Sequence, residues 1–104
     1  MAKGYWIARV DVNDDAAYKD YVKANAKPFA EFGARFLVRG GPFKAVEGTP
    51  RQRNVVIEFP SYEAALACYN SEGYAVAKAI RQDVSIGELV ILEGYDGPQP
   101  EDAA

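Results

Sequence analysis

Four of the charged residues in the predicted β-strands of this chain share one predicted face of the sheet with aliphatic side chains. Two of them are arginines, Arg9 and Arg39, and two are glutamates, Glu58 and Glu93. A guanidinium group can hold an anion, and a desolvated carboxylate can accept or donate a proton. Arg9 and Arg39 are therefore candidate ligand-binding residues, and Glu58 and Glu93 are candidate catalytic residues.

A structural role is the alternative for the same four charges. If they are buried in an interface, each arginine has to pair with a glutamate, because an unpaired buried charge is costly. Ion-pair networks of this kind are common and need have no catalytic role. The sequence leaves both interpretations open.

Further candidate ligand-binding residues lie in the predicted helices. Asn25 is on the apolar face of the first helix, where a buried amide must find a hydrogen-bond partner. Tyr69, Ser71, Tyr74 and Arg81 surround a break in the second helix and could line a cleft between helices and sheet. Tyrosines at helical spacing are more often core residues whose hydroxyl reaches the surface, and this interpretation also stays open.

The chain has no histidine and only one cysteine. The usual general base and the commonest metal ligand are therefore missing, which excludes zinc sites, histidine-ligated haem and a Ser-His-Asp triad. Cys68 stands in an apolar helical segment and is expected to be a small buried residue. We predict no metal and no cofactor.

Length and composition point to one globular domain. The chain has 104 residues, of which 49% are hydrophobic and 26% charged, and its net charge is −3. A nucleic-acid-binding protein needs a clustered basic surface, so this class is disfavoured. No segment approaches the ~18 consecutive apolar residues of a membrane helix, and no signal peptide is recognisable. We predict a cytoplasmic protein without membrane contact.

The predicted elements follow the order βαββαβ. Residues 5–12, 34–41, 53–59 and 88–93 are read as strands. The first helix follows Asn13–Asp15, contains Pro28 as a kink or restart, and ends at Gly33. The second helix begins at Ser61 and restarts at Ser71 after its break. Residues 43–47 are expected to be an edge segment or hairpin arm, residues 1–95 one domain, and residues 96–104 a flexible tail.

This order predicts a ferredoxin-like α+β fold, with a four-stranded antiparallel sheet and both helices on one face. Right-handed crossovers place the first and third strands in the middle. We read these two central strands as running in the same direction, which would bring Arg9 and Glu58 to one end of the sheet. Arg39 and Glu93 fall on the two edge strands, where a second subunit could bring them together.

Alternation along the strands divides their side chains between two faces. The face assigned to the helices is apolar: Trp6, Ala8, Val10, Phe36, Val38, Val55, Ile57, Phe59, Val90 and Leu92. The other face mixes aliphatic and charged residues: Tyr5, Ile7, Arg9, Leu37, Arg39, Val56, Glu58, Leu89, Ile91 and Glu93. An exposed apolar patch of this kind usually binds a partner, and a second copy is the simplest partner. We predict a homodimer formed through this face.

Several ordered segments resemble the domain-of-unknown-function 1330 family: residues 4–10, 35–41, 53–65, 68–74 and 93–95. The resemblance covers nearly the whole chain. It implies the dimeric α+β barrel superfamily, whose ferredoxin-like subunits pair sheet to sheet. That superfamily includes cofactor-free monooxygenases, isomerases and haem-dependent members, and this chain lacks the histidine that the haem-dependent members use.

Two functional hypotheses follow. The first is a homodimer whose cleft binds a small aromatic or carboxylated metabolite, with a cofactor-free isomerase or monooxygenase-like activity. In that case Arg39 or Arg9 would bind an anion, Glu58 or Glu93 would move a proton, and Tyr69 and Tyr74 would wall the cleft. The alternative is a non-enzymatic binding or stress-related dimer without turnover, and the sequence does not decide whether the chain is an enzyme.

Overall fold

A computed structural model describes residues 2–103. The elements are β1 Gly4–Val12, α1 Asp15–Glu31, β2 Arg35–Arg39, β3 Arg53–Phe59, α2 Tyr62–Tyr69, α3 Glu72–Val84, β4 Ser85–Glu93 and a 3-10 helix, Pro100–Ala103. The strands form one sheet in the order β2-β3-β1-β4, in which every neighbouring pair is antiparallel. The predicted ferredoxin-like α+β fold is confirmed. No helix in the described residues is both long and apolar enough to cross a membrane.

The helix boundaries follow from local capping chemistry. Asp14, Ser61 and Ser71 are the N-caps of α1, α2 and α3, and each side chain accepts a backbone hydrogen bond from the first turn. The predicted break in the second helix thus separates α2 from α3. Helix α1 continues through Pro28 without a restart, and Gly33, with a φ of +74°, follows its end.

Trp6 forms the centre of the core. Its ring centroid lies 4.9–5.8 Å from those of Phe29, Phe59, Tyr69 and Tyr74, which come from α1, β3, α2 and α3. Its indole N–H donates to the carbonyl oxygen of Ala65 at 2.9 Å, so the buried polar atom is satisfied. Cys68 is fully buried nearby, as expected.

The direction of the central strands was predicted wrongly. β1 and β3 run antiparallel, with Tyr5 opposite Glu58 and Arg9 opposite Asn54. The crossover after β1 makes β1 and β2 run in the same direction, with β3 between them. The connection from β2 to β3 reverses the chain, so β3 is antiparallel to both of its neighbours. Arg9 and Glu58 are therefore separated by four residues of register, roughly 13 Å, and do not share one end of the sheet.

The faces of β4 were also predicted wrongly. Leu89 and Ile91 lie opposite Ala8 and Trp6 and pack against the core. Val90 and Leu92 are on the other face, where they are 47% and 41% exposed. Four consecutive apolar residues give no alternation in the sequence, so only pairing with β1 determines which of them are buried.

A β-bulge changes the faces of β2. Phe36 lies opposite Ile57 on the helix side, but the register shifts before the next pair, so that Val38 lies opposite Val56 on the open face. Arg39 then lies opposite Val55 and points to the helix side. Both assignments differ from those predicted by simple alternation. The bulge thus moves an arginine from the open face into the layer between sheet and helices.

The open face carries an apolar row that crosses all four strands. Val38, Val56, Ile7 and Val90 lie opposite one another in register. Polar residues flank this row on both sides, namely Arg35, Glu58 and Tyr5 on one and Asn54, Arg9 and Glu88 on the other. We call the four apolar residues the apolar row.

Two peripheral segments complete the description. Residues 40–52 contain no strand, so residues 43–47, expected to be an edge segment or hairpin arm, do not extend the sheet. The tail predicted for residues 96–104 includes the 3-10 helix, and its flexibility stays a prediction. Met1 and Ala104 lie outside the described residues.

Gly4 provides a test of the contact between β1 and α2. A methyl group on Gly4 would overlap the carbonyl oxygen of Ser61 and approach the Cα of Tyr62 to 2.7 Å. Backbone atoms cannot rotate away, so Gly4→Ala should lower the free energy of unfolding by roughly 1–3 kcal/mol. Gly41→Ala is the control, because no atom lies within 4 Å of its added methyl group. Urea unfolding midpoints would measure both, and equal midpoints would contradict this packing.

Candidate functional site

A cavity lies between the helices and the sheet. Apolar side chains line part of it, namely Trp6, Val10, Phe29, Phe36, Val55, Ile57 and Leu89. Polar side chains of a different character line the rest: Tyr18, Tyr21, Asn25, Arg39, Arg53 and Arg81. The unfilled volume is about 30 Å³, enough for one or two water molecules.

Three different elements bring the arginines together. Arg53 is the first residue of β3 and shares the helix-side face with Val55. Arg39 is the last residue of β2 and reaches this face through the bulge. Arg81 lies in the last turn of α3, which packs against α1 over the sheet. Because β2 ends where β3 begins, Arg39 and Arg53 are held side by side.

The three arginines have no carboxylate partner within the described part of the chain, where ion pairs within 4.0 Å involve only Arg51. The guanidinium of Arg39 instead lies 3.9 Å from the Phe36 ring centroid, and that of Arg53 lies 5.5 Å from the Tyr18 ring centroid. The Nε atom of Arg53 is buried and has no hydrogen-bond partner. The cavity therefore carries uncompensated positive charge.

A hydrogen-bonded pair of buried tyrosines contacts Arg81. The hydroxyls of Tyr21 and Tyr74 are 2.8 Å apart, and Nε of Arg81 donates to the Tyr74 hydroxyl at 3.3 Å. Burial raises the pKa of Tyr21, and the neighbouring Tyr74 hydroxyl raises it further. Burial also raises the pKa of Tyr74 and of Tyr18. These hydroxyls are therefore neutral at physiological pH and act as hydrogen-bonding groups rather than as bases.

The residues predicted for the helix side divide into lining and supporting positions. Asn25, which is 4% exposed, lines the cavity together with Arg39 and Arg81. Tyr74 lies behind the lining and reaches it through its bond with Arg81. Tyr69 packs on the Trp6 ring, outside the cavity.

Ser71 has a structural position. Its hydroxyl donates to the Cys68 carbonyl at 2.7 Å and accepts from the Tyr74 amide at 3.1 Å. These two bonds join the end of α2 to the start of α3. Ser71 is therefore the N-cap that separates the two helices, and it lies outside the cavity lining.

The other candidates lie away from the cavity. Glu58 is on the open face, where it accepts a hydrogen bond from the Tyr5 hydroxyl at 3.3 Å. Arg9 is on the same face and donates to the Thr49 carbonyl at 3.0 Å. Glu93 ends β4 opposite Gly4, about 13 Å of strand beyond the lining residue Leu89. The structure therefore does not bring the two glutamates together with Arg39.

The Arg–Glu pairs that we expected among these four residues are not formed within the described chain. Instead Arg51 pairs with Asp11 at 2.8 Å and also with Glu88, which joins the segment before β3 to β1 and β4. Hydrogen bonding from the Gln52 amide and from Arg51 lowers the pKa of Asp11.

Arg53, Tyr18 and Tyr21 were not among the predicted site residues. The sequence did contain a signal for Arg53, because it is two residues before Val55 and four before Ile57 in an alternating strand. This spacing places it on the core face, where an arginine is unusual. The tyrosines were interpreted only as core residues, and their helical spacing offered no further signal.

The fold and the cavity define a single ferredoxin-like α+β domain with an arginine-lined space between helices and sheet. Residues 3–95 match the model of the domain of unknown function DUF1330, so the chain belongs to this family. No match is found among curated proteins.

Several solved structures share the fold. A protein of unknown function, RPA0582 from Rhodopseudomonas palustris, has a TM-score of 0.72 and 15% identity, over 95% of this chain and 85% of that one. The cofactor-independent oxygenase SnoaB from Streptomyces nogalater has a TM-score of 0.62 and 13% identity, over 96% and 99%. A dimeric ferredoxin-like protein of unknown function from Thermobifida fusca has a TM-score of 0.58 and 16% identity, over 88% and 89%.

The buried tyrosines should make stability depend on alkaline pH. Tyrosines of the unfolded chain ionise near pH 10, whereas Tyr21 stays protonated in the fold because its pKa is raised. Its contribution is therefore complete below pH 10 and is lost as the pH rises. At pH 10.5 the loss from one such group is about 0.8 kcal/mol.

Urea unfolding at pH 8 and pH 10.5 would measure this loss. Tyr21→Phe should reduce the difference between the two pH values, whereas Tyr95→Phe should not, because Tyr95 is 69% exposed. An identical pH dependence in the two variants would contradict the assignment.

Proposed function

We propose that this protein is a cytoplasmic homodimer that binds a small anionic metabolite in the cavity between helices and sheet. The observation that carries the proposal is the group of Arg39, Arg53 and Arg81, which face one cavity without a carboxylate among its lining residues. The ligand class is a carboxylate with an aromatic or otherwise apolar body.

Charge and polarity support this ligand class. Guanidinium groups bind carboxylates through charge-assisted, often bidentate hydrogen bonds. The buried Nε of Arg53 lacks a partner, and a bound anion would supply one. The cavity lining also includes the aromatic rings of Trp6, Phe29 and Phe36, which suit an apolar or aromatic group.

Binding requires the cavity to enlarge. Its volume of about 30 Å³ is far below the ~300 Å³ typical of ligand pockets. The backbone on both sides is fixed by sheet and helix hydrogen bonds, whereas arginine side chains have several rotatable bonds. Arg39 is exposed and lies at the end of an edge strand, so we expect it to swing outward and admit the ligand.

Two versions of this function differ in whether turnover occurs. A cofactor-free isomerase or oxygenase would use the guanidinium groups to stabilise negative charge that develops on the substrate. The fold similarity to SnoaB, a cofactor-independent oxygenase, favours this version. The cavity lining contains no carboxylate, and its tyrosines have raised pKa values, so it offers no base. That observation favours the non-enzymatic binding protein.

The proposed dimer is formed through the open face of the sheet. The apolar row crosses the whole sheet, and stacking two rows would remove it from water. The polar rows beside it would then form the wetter rim that protein interfaces usually have. The similarity to a ferredoxin-like protein from Thermobifida fusca that is described as dimeric supports a dimer.

Benzoate and its neutral analogue benzamide would test anion binding. Benzoate should raise the Tm because a ligand that binds only the folded state stabilises it, whereas benzamide should not. Arg53→Gln should weaken benzoate binding 10- to 100-fold, since it removes a charge-assisted contact of about 1.5–3 kcal/mol. Arg9→Gln is the matched control, because Arg9 lies on the other face. Equal shifts with both compounds, or an unchanged Arg53→Gln, would contradict the proposal.

Two exposed valines on different faces of the domain would test the dimer. Val90→Asp places a charge in the apolar row, and Val76→Asp places one on the outer side of α3, where Val76 is 64% exposed. We expect Val90→Asp to be monomeric at micromolar concentration and Val76→Asp to remain dimeric, because burial of an unpaired charge is costly. Light scattering after gel filtration gives the mass, and a monomeric native protein would refute the proposed assembly.

A further inference from the structure

Residues 40–52 join β2 to β3, and we call this segment the arm. We infer that the arm of each subunit packs against the second copy of the chain and covers the partner subunit's Ile86. This inference rests on the proposed dimer and specifies where its interface extends beyond the sheet.

The arm is unusually long and exposed. It comprises the 13 residues between Arg39 and Arg53, and connections of that length without regular structure are uncommon and usually functional. Phe43 is 53% exposed and Val46 is 79% exposed. Two large apolar side chains on one protruding segment indicate a surface that is covered by a partner.

The arm has a defined position rather than extending freely. The Gly40 amide donates to the Asn54 carbonyl at 3.0 Å, and Gly40 has a φ of +67°, which favours glycine. Arg9 holds the Thr49 carbonyl, and Arg51 pairs with Asp11. These bonds fix both ends of the arm next to the open face. A hollow of about 270 Å³ remains between the arm and the Arg9 side chain.

The size of the open face shows why a dimer would need the arm. Four strands of the observed lengths present a projected area of roughly 500 Å², to which the relief of the side chains adds accessible surface. A stable interface usually buries about 800 Å² on each partner. The radius of gyration of 15.0 Å exceeds the ~13 Å expected for a compact domain of this length, so some of the chain stands away from the core. The arm can supply the missing contact area.

Register identifies the surface that the arm would meet. Ile86 lies opposite Asp11 on the open face and is 63% exposed. It is at the same end of the sheet as the arm but on the opposite edge, because β4 and β2 are the two edge strands. A two-fold axis parallel to the strands stacks the apolar rows and places each edge over the opposite edge of its partner. The arm of one subunit then reaches the partner subunit's Ile86.

The charges on the open face are compatible with this axis. It places Glu58 over the partner subunit's Tyr5 and Arg9 over the partner subunit's Asn54, so no like charges meet among these residues. Lys44 of the arm comes to the end of the sheet that carries the partner subunit's Glu88. Glu88 already pairs with Arg51 of its own subunit, so Lys44 would join an existing ion pair at this rim.

The dimer dissociation constant would test the role of the arm. Phe43→Ser with Val46→Ser should raise it at least tenfold in sedimentation velocity experiments, and Val76→Ser should leave it unchanged. Because all three residues are exposed, none of these variants should affect folding, which circular dichroism would verify. An unchanged dissociation constant in the arm variant would overturn the inference while leaving the dimer itself intact.

Cysteine pairs would test the specific contact. Val46→Cys combined with Ile86→Cys should form a disulfide-linked dimer upon mild oxidation, whereas Val76→Cys combined with Ile86→Cys should not. The native Cys68 is buried and should not interfere, since burial raises the pKa of its thiol to about 12. Absence of the linked dimer in the first variant, or equal linking in both, would overturn the contact with Ile86.

Discussion

The packing of Trp6 is the interaction on which the rest of this structure depends. One indole ring contacts four other aromatic rings, and these belong to all three helices and to the neighbouring strand β3. Its N–H bond to Ala65 fixes the distance between β1 and α2. Because β1 is a central strand, this one contact sets the height of the helices above the sheet. The cavity is the space that remains beside it, where the aromatic packing ends.

The cavity owes its character to the way in which the fold distributes charge. Acidic residues near the sheet are engaged elsewhere: Asp11 and Glu88 with Arg51, and Glu58 with Tyr5. The three cavity arginines are left with aromatic rings, a tyrosine hydroxyl and one unsatisfied nitrogen. The buried Nε atom of Arg53 is costly for an empty protein, because it loses water without gaining a hydrogen-bond partner. A ligand that carries a negative charge would remove this cost, so the site is well suited to an anion.

The two faces of the sheet carry different structural features. The helix side combines the core with the arginine-lined cavity, while the open side carries the apolar row and the arm. Arg39 and Arg53 connect the two, because the arm leaves the sheet directly after Arg39 and returns directly before Arg53. If the arm packs on a second subunit, its position in the dimer affects the opening of the cavity beside Arg39 and Arg53.

Much of the fold could be predicted from the sequence because the signals are local. The caps Asp14, Ser61 and Ser71, the glycine after α1 and the alternation in β1 and β3 all depend on neighbouring residues only. The order of these elements then restricted the topology to one common arrangement. Asn25, Arg39 and Arg81 were named separately among the ligand-binding candidates, with Arg39 assigned to the open face, and all three line one cavity.

Tertiary structure alone decided the features that depend on pairing between distant strands. The run Leu89–Leu92 has no internal alternation, so its buried side was set by β1. The bulge after Phe36 reversed Val38 and Arg39, since one additional residue in a strand exchanges its two faces. The relative direction of β1 and β3 likewise separated Arg9 from Glu58. The sequence by itself determined the elements and their order, through capping and periodicity; cross-strand register decided which charges share a face, because register is a property of two segments rather than of one.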